Sequence, residues 1–440
     1  MKYGLIGKTL AHSYSKEIHE ALGRYSYELF SLTPQAMSDF VNARDFGGLN
    51  ITIPYKQDVI PLCDEVSELA SAIGAVNTLY WKKDSSCERP VLAGHNTDYE
   101  GFLYAAERAN IDFNGKTVLI LGSGGTSLTA RKAAADSGAA VIYIASRSAG
   151  PDASKTAEDG GTTGGTCPVR RLSYEELHTI SNDVEIIVNT TPVGTFPDNL
   201  KSIIQPTDFP QCEAVMDVIY NPFRTKLLMD AEKAGLRTSN GLPMLVAQAT
   251  AAAGYFLGTP GAFEGENERI IQKLTRDLQN IVLIGMPGCG KSTVGRIIAK
   301  KTGKQLVDMD AEIIKKAGKP IPQIFEESGE SGFRDLESQA AAELGKQRGL
   351  VIATGGGAVL RSENVDALRQ NGLVIHIKRP VELLSTKGRP LSKDLKTLRE
   401  MERARLPLYE AAADITFNNV SATNLKAQFN EDPHMKALFS

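Results

Sequence analysis

Short β-branched runs alternate with stretches of helical spacing along most of the chain. In the middle, Val118 to Leu121, Val141 to Ala145, Glu185 to Val188 and Val215 to Ile219 predict strands, with helical segments such as Thr129 to Ser137 between them. That alternation predicts a parallel, doubly wound α/β domain over residues 99–241. Residues 1–98 carry strands of their own at Tyr3 to Ile6 and Leu49 to Ile53, so a second α/β lobe precedes it. The apolar stretch Leu242 to Leu257 reads as a long helix, within 242–258, that returns to complete this lobe. From residue 280 to 440, strands opening at Ile281, Gln305, Leu350, Leu373 and Asp414 alternate with helices and predict another parallel sheet. Between these domains, 259–279 thins into turn formers and acids and reads as a flexible linker. The Gly/Thr/Ser/Asp-rich run Ala149 to Gly165 reads as a mobile surface insertion.

A chain of 440 residues exceeds one ordinary hydrophobic core, in keeping with several domains. Its 49 basic and 52 acidic residues nearly cancel, which argues against nucleic acid or a membrane surface as the main partner. Five cysteines, irregularly spaced and without a C-x-x-C pair, read as free thiols of a reducing cytoplasm. Neither an export signal nor a run of about 18 apolar residues is found.

The most specific motif is Gly285-Met286-Pro287-Gly288-Cys289-Gly290-Lys291-Ser292, between the apolar run Ile281 to Ile284 and a helical stretch that opens at Thr293. This is the strand, glycine loop and helix order of a phosphate-binding P-loop. Gly285, Gly288 and Gly290 let backbone N–H groups turn inward around phosphates, Lys291 adds a positive charge, and Ser292 offers a hydroxyl to Mg²⁺. Thr293 opens the helix whose N-terminus completes this cradle for ATP. Downstream, Asp308 and Asp310 place two carboxylates one residue apart at a strand end. One suits the metal and the other an acceptor hydroxyl.

A second glycine turn, Gly122-Ser123-Gly124-Gly125, follows the strand Val118 to Leu121, as in dinucleotide-binding folds, although Ser127 stands where a third Gly or Ala is usual. The next strand ends in Ser146-Arg147 and not in the carboxylate that would hold a ribose 2′-hydroxyl. Arg147 suits a 2′-phosphate, which favours NADP(H) over NAD.

Near the N-terminus, Ser13 and Ser15, the run Asn50-Ile51-Thr52-Ile53-Pro54-Tyr55-Lys56, then Asn77 and Asp98, supply the hydroxyls, amides, lysine and carboxylate for a small polyol acid. With Asn189-Thr190-Thr191-Pro192-Val193-Gly194, Asp217 to Pro222 and Asn240 to Gln248, residues 1 to about 258 resemble shikimate dehydrogenase. The resemblance implies a substrate lobe (1–98, completed by 242–258) and a Rossmann-like NADP domain (99–241). It also implies Lys56 and Asp98 as the catalytic pair, with Ser13, Ser15, Thr52, Asn77, Tyr220 and Gln248 on the substrate. Lys16 and Glu20 depart from the family's common pattern beside the hydroxyl pair.

Downstream of the P-loop, Phe333-Arg334-Asp335-Leu336-Glu337, Thr354-Gly355-Gly356-Gly357, Gly388-Arg389-Pro390-Leu391 and Arg405-Leu406-Pro407 make 280–420 resemble shikimate kinase. The resemblance implies Asp308 near Mg²⁺ with Ser292, and Asp310 on the ring hydroxyls and the attacking proton. Arg334 and Arg405 would hold the carboxylate, Gly355, Gly356 and Gly357 would let backbone amides approach substrate, and Arg389 would ride a closing lid. The family's frequent adenine-stacking arginine before the lid is absent or displaced. Together the two resemblances imply one chain that reduces 3-dehydroshikimate with NADPH and phosphorylates shikimate with Mg-ATP. A quinate or shikimate oxidoreductase working toward oxidation, and a metabolite-sensing regulator related to quinate-pathway repressors, are the alternatives.

Overall fold

The computed structural model describes residues 1–10, 13–82, 90–147, 167–384 and 395–439. Two of the sequence expectations, the insertion at 149–165 and the lid residue Arg389, lie outside them. The chain divides into two compact units. Met1–Thr195, Lys201–Tyr220 and Leu227–Ile271 form the first, and Phe196–Leu200, Asn221–Lys226 and the chain from Gln272 onward form the second.

The first unit contains two sheets. One comprises β1 (Tyr3–Gly7), β2 (Glu28–Ser31), β3 (Gly48–Ile51), β4 (Glu65–Val66), β5 (Thr78–Lys82) and β6 (Val91–His95), in the order β2-β1-β3-β5-β6-β4. It is mixed, because β5 runs antiparallel to both β3 and β6. The other comprises β7 (Thr117–Leu121), β8 (Val141–Ser146), β9 (Val169–Ser173), β10 (Ile186–Asn189), β11 (Ala214–Asp217) and β12 (Arg237–Ser239), in the order β12-β11-β10-β7-β8-β9. Every pairing in it is parallel.

Strand periodicity explains why the runs of this second sheet are apolar throughout. Val118 and Ile120 join Ile142, Ile186 and Val188 in a core on one face, while Leu119 and Leu121 join Tyr143, Ile187 and Val215 on the other. Each such buried side chain is worth about 1.5–3 kcal/mol against exposure.

The helix Gly241–Phe256 returns to the first lobe, where Ala252 and Phe256 share a core with Leu5 and Tyr27. Gly241 starts it where a Cβ would lie 2.0 Å from the Val218 carbonyl oxygen, so only glycine admits that approach. Within the expected linker, Asn267–Leu278 forms a helix, with Ile270, Ile271 and Leu274 buried. Its acids and bases alternate with apolar residues at helical spacing, a pattern masked by the turn-rich segment just before it.

The second unit holds β13 (Asn280–Ile284), β14 (Gln305–Asp308), β15 (Leu350–Ala353), β16 (Gly372–Lys378) and β17 (Ile415–Asn418), all parallel, in the order β14-β15-β13-β16-β17. Among the described residues no helix is long and apolar enough to cross a membrane. Cys63, Cys167, Cys212 and Cys289 are free thiols.

Candidate active sites

In the first unit, the turn after β3 and the start of the helix Asp98–Arg108 bring Lys56 and Asp98 together. Lys56 Nζ lies 2.5 Å from Asp98 Oδ2, with 13% and 11% of the two side chains exposed. The pair opens on a cavity of about 350 Å³ that is also lined by Ser13, Ser15, Thr52, Asn77, Tyr220 and Gln248. All eight residues that the sequence placed on substrate chemistry therefore meet at one cavity.

Hydrogen bonds fix several of these groups. Ser13 Oγ donates to Ser15 Oγ at 3.1 Å. Asn77 Oδ1 accepts from the Thr97 N–H at 2.7 Å and the Thr78 hydroxyl at 2.9 Å. Its amide nitrogen is thereby turned toward Gln248 Oε1, 3.4 Å away. Burial raises the Tyr220 phenol above its ordinary range and keeps it a hydroxyl.

Asn50, which also lines the cavity, and Thr97, behind it, went unassigned in the sequence. Period-two spacing from Thr52 could have found Asn50, because both project from the same face of one extended run.

The glycine turn after β7 leads into the helix Gly125–Asp136. Gly122 has φ +105°, and a Cβ there would lie 2.8 Å from Thr190 Oγ1, so glycine is required. Around Gly124 nothing lies within 4 Å of a Cβ position, which leaves the helix N-terminus open to an anion. At the irregular third position, Ser127 is buried and its hydroxyl donates to the Gly124 carbonyl at 2.6 Å. Serine thus fits by closing its own turn. Ser146 ends β8 and the exposed Arg147 follows it.

In the second unit a cavity of about 570 Å³ is lined by Gly288, Gly290, Lys291, Ser292, Thr293, Asp308, Asp310, Arg334, Gly355, Gly356, Gly357 and Arg405. Gly285 starts the loop at φ +142°, and Gly290, at φ +99°, caps the helix Lys291–Thr302. Lys291 Nζ donates to the Gly285 and Met286 carbonyls at 2.7 and 3.1 Å, which holds the ammonium inside the loop. Ser292 Oγ donates to Asp308 Oδ2 at 3.0 Å, while Asp308 Oδ1 accepts the Asp310 N–H at 3.1 Å and caps the helix Met309–Ala317.

Arg334 and Glu337 stand three residues apart in the helical segment Ile321–Gly345, joined at 2.6 Å. Burial raises the Glu337 carboxyl, against the pull of Arg334. The space a Cβ would need is filled by Glu337 and Asp310 at Gly355, by Pro287 at Gly356 and by the Arg334 guanidinium at Gly357. The three glycines thus make room for site side chains, a requirement the sequence did not reveal. Arg405 and Tyr409 both donate to the Gly356 carbonyl, at 3.0 and 2.5 Å.

Residues 287–431 match the family model for shikimate kinase, and residues 5–79 match that for the shikimate dehydrogenase substrate binding domain. A shikimate dehydrogenase (NADP(+)) of Clostridium perfringens is 35% identical over 258 residues, 57% of this chain and 90% of that protein. The crystal structure of a Thermus thermophilus shikimate 5-dehydrogenase in complex with NADP(H) and shikimate superposes with a TM-score of 0.51 at 30% identity. It covers 62% of this chain and 99% of that one. A quinate dehydrogenase from Corynebacterium glutamicum in complex with NAD gives 0.52 at 28% identity, covering 62% and 98%. The chain belongs to the shikimate dehydrogenase family and carries a shikimate kinase domain after it, as a bifunctional enzyme of the shikimate pathway.

Proposed function

We propose that the first cavity reduces 3-dehydroshikimate with NADPH and that the second phosphorylates the 3-hydroxyl of shikimate with Mg-ATP. The observation that carries this reading is the presence in one chain of a shielded Lys–Asp pair in a hydroxyl-and-amide cavity and of a P-loop cavity containing two arginines. As domains, the reading takes 1–98 with 242–258 as substrate lobe, 99–241 as NADP domain and 280–440 as kinase.

At the first site the open helix N-terminus at Gly124 suits a pyrophosphate, and Arg147 suits a 2′-phosphate. NADPH supplies the hydride there. As hydride adds to the ketone carbon, the ketone oxygen gains charge and Lys56 Nζ delivers a proton to it. Asp98 orients that ammonium. Ser13 and Ser15 meet the carboxylate end of the substrate. Thr52, Asn77, Tyr220 and Gln248 hold its hydroxyls.

At the second site the Ser292 hydroxyl and the Asp308 oxygen it meets suit Mg²⁺, which favours few protein oxygens alongside phosphates. Mg-ATP supplies the phosphoryl group. Lys291, the loop N–H groups of Gly285, Gly288 and Gly290, and the helix N-terminus that includes Thr293 would bind its phosphates. Arg334 and Arg405 clamp the substrate carboxylate against the backbone of Gly355, Gly356 and Gly357. Asp310 would accept the hydroxyl proton as the hydroxyl oxygen bonds to the γ-phosphorus and the bond from that phosphorus to the ADP oxygen breaks, releasing ADP; by the resemblance, Arg389 would meet the transferring group.

The test is mass spectrometry of the products after the pure chain meets 3-dehydroshikimate, NADPH, ATP and Mg²⁺. Shikimate 3-phosphate is expected; its absence in the presence of shikimate would remove the kinase half, and unchanged 3-dehydroshikimate would remove the reductase half.

The likeness to a quinate dehydrogenase in complex with NAD supports a second reading, oxidation of quinate or shikimate with NAD. A kcat/KM for NAD⁺ with quinate exceeding that for NADP⁺ with shikimate would establish it.

A further inference from the structure

Behind the dehydrogenase cavity lies a buried polar chain that no substrate-contacting role explains. Tyr27 is fully buried, and its hydroxyl donates to Asn50 Oδ1 at 2.7 Å. His19, equally buried, stacks on the Tyr27 ring at 4.0 Å between centroids with only 5° between planes. Asn50 in turn faces Thr78 across β3 and β5, where its Nδ2 donates to Thr78 Oγ1 at 3.3 Å and to the Asn77 carbonyl at 3.4 Å. The Thr78 hydroxyl donates to Asn77 Oδ1 at 2.9 Å.

Each link fixes the direction of the next. A phenol proton on Asn50 Oδ1 leaves the Asn50 amide nitrogen to face Thr78. Having accepted that hydrogen bond, Thr78 directs its own proton to Asn77 Oδ1. With Thr97 N–H already on the same oxygen, Asn77 is left with its amide nitrogen toward the cavity, as a donor to a ligand oxygen. Burial keeps the phenol protonated and the imidazole neutral, so the direction does not reverse with ordinary changes of pH.

We infer that Tyr27, held by His19, is a positioning residue for substrate recognition, acting through Asn50 and Thr78 to present the Asn77 amide N–H₂ to a substrate hydroxyl. The inference rests on the proposed dehydrogenase reading. If the Tyr27 hydroxyl is removed, Asn50 Oδ1 loses its donor and the amide is held more weakly, by the long bond to the Asn77 carbonyl at 3.4 Å; a flip then turns the Thr78 proton to Asn50 instead of Asn77.

The test is steady-state oxidation of shikimate by NADP⁺ in the full chain, with Tyr25→Phe as reference. Tyr25 also loses a hydrogen-bonded hydroxyl, which contacts His19 Nδ1 at 2.8 Å, but it stands outside the directed chain. Tyr27→Phe is expected to raise KM for shikimate about three- to tenfold, with kcat and KM for NADP⁺ within twofold of wild type. Tyr25→Phe is expected to leave all three near wild type. An unchanged shikimate KM in Tyr27→Phe, or the same change in both variants, would overturn the inference while the dehydrogenase reading stood. An inactive wild-type chain would overturn both. Asn50→Asp, which puts acceptors on both sides of the residue, gives the same test should Tyr27→Phe not fold. It is expected to raise the shikimate KM, and an unchanged value would overturn the inference.

Discussion

Lys56 Nζ and Asp98 Oδ2 are 2.5 Å apart, and the two side chains come from segments 42 residues distant in sequence. The carboxylate fixes the direction in which this shielded ammonium points. Lys56→Ala is therefore expected to lower 3-dehydroshikimate reduction by about 10²- to 10⁴-fold, the ordinary range for a lost general acid. Phosphorylation of added shikimate should be unaffected. Absorbance of NADPH and a coupled ADP assay on the same preparation check both; loss of both activities in a folded chain would contradict independent sites.

The reverse is expected of Lys291→Ala. The ammonium is enclosed by the Gly285 and Met286 carbonyls, so its removal takes a buried charge from the phosphate cradle. A loss on the order of 10²-fold or more in phosphoryl transfer should follow, with NADPH oxidation unchanged.

Gly357→Ala places a methyl group 2.2 Å from Arg334 Nη1. The guanidinium must move, so KM for shikimate in the kinase reaction should rise at least tenfold while KM for ATP changes little. Equal effects on both constants would mean that the loop, and not Arg334, had shifted.

Arg147→Ala removes the cation at the end of β8. KM for NADPH is expected to rise about tenfold, in line with the loss of a charge-assisted contact of about 1.4 kcal/mol, and activity with NADH should stay constant. Initial rates against each cofactor decide it.

Acid should weaken both units. Burial holds the His19 imidazole at about 3 and, helped by the positive charges of Lys378 and Lys291, that of His376 at about 4. Unfolding returns each to about 6.5, so the unfolded chain binds more protons between those values. The stability due to neutral imidazole is complete above pH 6.5 and falls as pH drops toward 3–4, by up to about 1.4 kcal/mol per pH unit for each histidine. Urea unfolding at pH 7.5 and 5.0 should show a smaller loss for His19→Gln than for wild type; an equal loss would clear His19.

Much of this was legible in the chain because strands and loops write short-range patterns. The apolar runs at Val118, Val141 and Ile281 each became a central parallel strand, and the motif at Gly285 became a loop facing a cavity. Pairings across long separations were less legible. Glu337 carried no signal beyond its spacing from Arg334, and Tyr27, just before β2, meets Asn50 on β3 only because both strands pair with β1. The clearance that Gly355, Gly356 and Gly357 give their neighbours is likewise a property of three dimensions. The helix Asn267–Leu278 within the expected linker was not legible because its acidic, turn-rich approach outweighed three apolar residues at helical spacing.

Asp308 divides its carboxylate between two tasks, one oxygen holding the start of the helix Met309–Ala317 and the other facing Ser292. Architecture and chemistry are thereby encoded in a single side chain that neither can vary alone. Asparagine would preserve the cap but lose the charge, and glutamate would preserve the charge but overshoot the cap. Neither of its nearest chemical relatives serves both ends at once.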